Sequence, residues 1–133
     1  MCKRAVSNTL RGYFSTFGGN PVACSIGLAV LRVFKNEKLK SAAYNVGSVL
    51  YSLLTSLKNK YYERIGDIRG QGLIWGLEIV KDESKDADPK LARKIVELMR
   101  TEEKILLGLV GMKSNVLLFT PPLCFTVDNS RRY

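Results

Sequence analysis

Histidine is absent from all 133 residues. Nucleophilic triads that need an imidazole are thereby excluded, and so are zinc sites built on histidine. Cysteine is scarce: Cys2, Cys24 and Cys124 are three, an odd number, and no two stand at metal-ligand spacing. A disulfide scaffold is not expected, and a reducing intracellular compartment fits such usage. No acid precedes Glu37, whereas Lys3, Arg4, Arg11, Arg32 and Lys35 all fall before it. No apolar run reaches the ~18 residues of a membrane-spanning helix. Internal repeats and low-complexity tracts are missing as well, so the chain is read as an ordinary globular sequence.

What is present fits one domain in size. At 133 residues, folding can bury roughly two-thirds of the unfolded surface. A hydrophobic share of 46% and a charged share of 25% are globular values. The formal net charge is +9, from 21 basic and 12 acidic residues. Such a balance suits phosphorylated ligands, nucleic acid or an anionic membrane surface, and equally a solvated basic surface on part of a larger protein. The basic residues are scattered rather than gathered on one face, which argues against a nucleic-acid-binding module. Met1 to Arg11 contains arginine and no acid, as mitochondrial transit peptides do; a start cut from a longer chain explains it too.

Apolar spacing at Val22, Ile26, Ala29, Val30 and Val33 predicts a helix over Pro21 to Val33, with a break at Asn36-Glu37. A longer helix is expected from Leu39 to Lys60, striped by Val46, Val49, Leu50, Leu53, Leu54 and Leu57. Ile65 to Arg69 and Leu73 to Val80 read as strands, with Gly70 and Gly72 marking a bend or bulge between them. The second strand is apolar on both sides, so burial on both faces is open to it. Pro89 to Glu102 reads as a helix with Leu91, Ala92, Ile95, Val96 and Met99 on one side. Ile105 to Leu109 and Val116 to Phe119 read as short strands, and Thr126 as a cap for a further helix. A small sheet covered by helices, an α/β (α+β) arrangement, follows from this order.

The residues richest in chemistry are Ser15 to Pro21 (STFGGNP). Gly18 and Gly19 permit backbone conformations that a Cβ would block. Asn20 is a good N-cap and Pro21 a good first helical residue. Two hydroxyls, two glycines and a helix start within seven residues can build an anion-binding corner, or simply a satisfied helix-entry loop. Gly70-Gln71-Gly72 with Gly76 lacks dinucleotide-fingerprint spacing. Arg69, beside those glycines, can clamp a carboxylate or phosphate, pair with Asp67, or lie solvated.

Three blocks, YFSTFGGNPVACSIGLAVL (Tyr13 to Leu31), IGDIRGQGLIWGLEIVKD (Ile65 to Asp82) and NVLLFTPPLCFT (Asn115 to Thr126), resemble in order and spacing the class III aminotransferases. These are pyridoxal-phosphate (PLP) enzymes of fold type I. The similarity is strongest to the alanine–glyoxylate aminotransferase 2-like branch, which includes phospho-lyases acting on phosphorylated amines. The resemblance implies that residues 1–36 are a remnant of the large domain, carrying the phosphate loop and a linking helix. Residues 37–133 would be the C-terminal small domain, truncated before its last helix. It implies pyridoxal 5'-phosphate as cofactor, a homodimer or a full-length subunit as partner, a small-molecule amine as substrate, and a mitochondrial or cytoplasmic location. It assigns Thr16 to the phosphate of the cofactor held by the neighbouring subunit, with Ser15, Gly18 and Gly19 in support. Two departures matter. Leu118 stands where many members of the family carry an arginine that grips a substrate carboxylate, and an aliphatic chain cannot replace that bidentate contact. The Schiff-base lysine of the family precedes the STFGGNP-like block, where only Lys3 is found, in a different context. The chain alone is therefore expected to be inactive, with no catalytic residue of its own and no covalent hold on the cofactor. A catalytically inactive interaction protein that pairs with a full-length subunit is the alternative.

Overall fold

The computed structural model describes residues 14–82 and 84–131. Cys2, Lys3, Arg4, Arg11, Tyr13 and the transit-like stretch Met1 to Arg11 lie outside them. The chain divides into two compact units, Met1–Asn36 and Glu37–Tyr133.

In the first unit, a turn over residues 15–18 leads into α1 (Pro21–Asn36). The helix runs three residues past the expected Val33, because nothing in Phe34-Lys35-Asn36 opposes helical geometry. The backbone turns away only at Lys38, with φ 51° and ψ 37°. None of the residues of α1 is buried.

The second unit begins with α2 (Leu39–Lys60), as the apolar stripe predicts. Val46, Leu50 and Leu54 are buried, whereas Leu53 and Leu57 keep about two-fifths of their surface exposed (41% and 39%). Two strands follow, β1 (Ile65–Gln71) and β2 (Ile74–Ile79), then α3 (Pro89–Thr101), β3 (Gly108–Val110), β4 (Val116–Phe119) and α4 (Val127–Ser130). The four strands form one antiparallel sheet in the order β1-β2-β4-β3. Its core side carries Trp75, Leu77, Ile79, Leu117 and Phe119, which pack with the buried residues of α2 and with Ala92 of α3.

Four expectations are corrected. The chain does bend at the glycines, but the strand irregularity lies elsewhere, between Ile65 and Ile68 of β1. Gly72-Leu73 forms the hairpin turn instead, so β2 starts at Ile74. Only the odd residues of β2 are buried; Gly76 and Glu78 on the other face are half-buried, since the helices packed on the sheet meet the odd set. The strand expected at Ile105 to Leu109 moves to Gly108–Val110, because only three residues find partners on the short β4. Leu106 points outward, and Leu107 is buried just before the strand.

Helix ends follow local chemistry. The Asp88 side chain accepts from Leu91 N at 3.0 Å and caps α3, with Pro89 as first residue. Thr126 caps α4 as expected, in a full capping box with Asn129: Thr126 N donates to Asn129 Oδ1 at 3.0 Å and Asn129 N to Thr126 Oγ1 at 3.2 Å.

Candidate functional site

The loop before α1 is built from two overlapping turns. Gly18 N donates to Ser15 O at 3.4 Å and Asn20 N to Phe17 O at 3.3 Å. Gly19 has φ +78°, where a Cβ is strained. Asn20 works twice: its Oδ1 accepts from Ala23 N at 2.9 Å, and its Nδ2 donates to Phe17 O at 2.8 Å. The helix start is thus partly closed by its own cap, and the remaining anion-binding capacity rests with the turn and its hydroxyls. Ser15 and Thr16 are exposed. Neither hydroxyl has a hydrogen-bond partner among the described residues. Thr16, Ser15, Gly18 and Gly19 therefore share one accessible turn, able to present two hydroxyl groups to the oxygens of a phosphate. No amine accompanies them: the one lysine described in this unit is Lys35, in the last turn of α1.

The face of the sheet turned from its core holds a second group of residues. Register places Arg69 opposite Gly76, Gly76 opposite Leu118, and Leu118 opposite Gly108, so these four form one row across all four strands. Arg69 Nη1 donates to Asp67 Oδ2 at 2.8 Å and to Glu78 Oε2 at 3.0 Å. The pairing with Asp67 that the sequence left open is present, and Glu78 joins it. Asn115, only 4% exposed, donates through Nδ2 to Ile79 O at 2.9 Å and to Glu78 Oε1 at 3.3 Å. The hydrogen bond from Arg69 holds the Asp67 and Glu78 carboxyls below their ordinary range, and the two carboxylates hold Arg69 more firmly protonated. Sequence reasoning missed Glu78 and Asn115. The alternation of β2 places Glu78 on the face of Arg69, but the register that brings them together depends on the hairpin turn.

Leu118 is half-buried between two glycines in this row and offers an anion only hydrocarbon. Among the described residues no cluster of three or more His, Cys, Asp or Glu is arranged to hold a metal ion, and no helix is long and apolar enough to cross a membrane.

Comparison with known proteins places this geometry in a family. The family model "Aminotransferase class-III" matches residues 1–132, and the chain belongs to that family. It is 47% identical over 123 residues to alanine–glyoxylate aminotransferase 2 homolog 2, mitochondrial, of Arabidopsis thaliana, covering 92% of this chain and 25% of that protein. Among solved structures, it is similar to a phospholyase from Arthrobacter in complex with phosphoethanolamine, with TM-score 0.81 and 36% identity over 90% of this chain and 28% of the other. It is also similar to a PLP-bound amine transaminase from an uncultivated Pseudomonas species, with TM-score 0.77 and 31% identity over 92% of this chain and 27% of the other. The fold is that of the corresponding part of the fold-type-I aminotransferases. The chain spans about a quarter of the length of the curated relatives it matches.

Proposed function

We propose that this chain is part of a pyridoxal-phosphate-dependent class III enzyme that carries out transamination of an amino donor or elimination of phosphate from a phosphorylated amine. Its share is to hold the phosphate of the cofactor bound by the neighbouring subunit of a dimer, through Thr16, with Ser15 and the backbone of Gly18 and Gly19 in support. The observation that carries this reading is the exposed Thr16 hydroxyl, without a partner among the described residues, beside an equally unused Ser15 in a turn that needs Gly19. The cofactor supplies an electron sink for bonds at the carbon bearing the amine. The residues of this chain bind and orient it. Residues 1–36 act as the phosphate-loop and linking-helix piece and residues 37–133 as the small domain. Alone, the chain does not hold the cofactor covalently and is inactive. The Arabidopsis relative, named as mitochondrial, supports a mitochondrial location.

Leu118 bears on the substrate. A side chain without hydrogen-bond donors at this point of the sheet suits an amine that brings no carboxylate to it. The guanidinium of Arg69 already serves two carboxylates, so we do not propose it as the replacement clamp. The Arthrobacter structure, with phosphoethanolamine bound, supports a phosphorylated amine over an α-amino acid.

The test is assembly of this chain with a full-length family subunit, followed by measurement of cofactor retention. A hydrogen bond to a charged group contributes about 1.5–3 kcal/mol. Thr16→Val should therefore weaken retention roughly 10- to 100-fold, and Thr16→Ser should restore it. Equal retention by Thr16→Val overturns the assignment. Borohydride treatment of the chain alone with PLP should attach the cofactor to no single lysine.

A further inference from the structure

We draw no further inference here: the strongest candidate, the apolar groove between α2 and α3 lined by Leu57, Ile65, Ile95, Met99 and Phe119, is open to solvent in a chain that spans about a quarter of the length of its curated relatives, and nothing in the structure shows what covers it.

Discussion

Gly47→Ala is a substitution for which helix propensity and tertiary packing give opposite answers. Gly47 lies in the middle of α2, and a Cβ built there falls 2.1 Å from Gly72 O, 2.6 Å from Gly72 C and 2.8 Å from Gly72 Cα. All three are backbone atoms, so no rotamer change relieves the overlap. Gly72 has φ +59°, a conformation that a hairpin turn accommodates best with glycine. Gly72 O also accepts from Trp75 Nε1 at 2.8 Å, and the Trp75 ring stacks on Tyr51 of α2 with centroids 5.1 Å apart. Lifting α2 away from the turn would therefore disturb the hydrogen bond and the stack together. Alanine gains about 1 kcal/mol over glycine inside a helix. Overpacking typically costs about 1–3 kcal/mol, and a clash against backbone on both sides belongs at or above the top of that range. The net expectation is a loss of about 2 kcal/mol or more, or a fall in Tm of about 8–16 °C for a domain of this size. Urea unfolding followed by Trp75 fluorescence, the chain having one tryptophan, measures it directly. Ser48→Ala, one position along the same helix and exposed, should stay within about 0.5 kcal/mol of the parent. If Gly47→Ala also stays within that margin, the backbone approach of α2 to the hairpin turn is wrong.

The remaining predictions concern the polar groups. Asp67 and Glu78 are held below their ordinary values, 3.8 and 4.5, first by the hydrogen bond from Arg69. Their contribution is thus fully present above those values and is lost as the pH falls through the lower, folded-state ones. Arg69→Met should flatten the acid limb of a stability–pH curve below about pH 4.5 and leave the neutral limb with the same slope; an unchanged acid limb refutes the coupling. Asn115→Leu, which removes both bonds of a buried amide, should lower stability by about 1–3 kcal/mol in urea unfolding. Thr16→Val should leave the unfolding free energy within about 0.5 kcal/mol of the parent, since Thr16 is exposed and its hydroxyl has no hydrogen-bond partner among the described residues. That invariance separates its proposed binding role from a structural one.

The sequence carried the elements well wherever periodicity was long or capping was explicit. The bounds of α2 and β4 follow from apolar spacing alone, and Thr126 signals α4 through its side chain. It carried them poorly where the outcome is set by pairing. The position of β3 depends on how many residues β4 can offer, and nothing in Ile105 to Leu109 encodes that number. The role of Gly47 was invisible for a similar reason: a glycine in a helix reads as a weak position until the approaching backbone is known. The Asp88 cap is written in the sequence as an acid directly before Pro89. For the candidate sites, the sequence located the turn from Ser15 to Asn20 and marked Asn20 as the cap, which it is through Ala23 N, but not the second bond from Asn20 Nδ2 to Phe17 O that ties the cap back to the turn.

The hydroxyls of Ser15 and Thr16 are then the polar groups of the loop that stay exposed and without a partner among the described residues. A helix start partly closed by its own asparagine attracts an anion less than an open one, because one of the donors that would face it, Ala23 N, is already paired. Threonine and serine lose nothing of this kind, since folding gives them no partner among the described residues. α1, behind the loop, is a helix with apolar residues over more than half of its circumference and none of them buried. A helix of that composition leaves hydrocarbon that further protein surface would cover. The same segment thus needs cover for its hydrocarbon and offers unused oxygens at its entrance, and a protein surface that brings its own phosphate-bearing ligand would satisfy both needs at once.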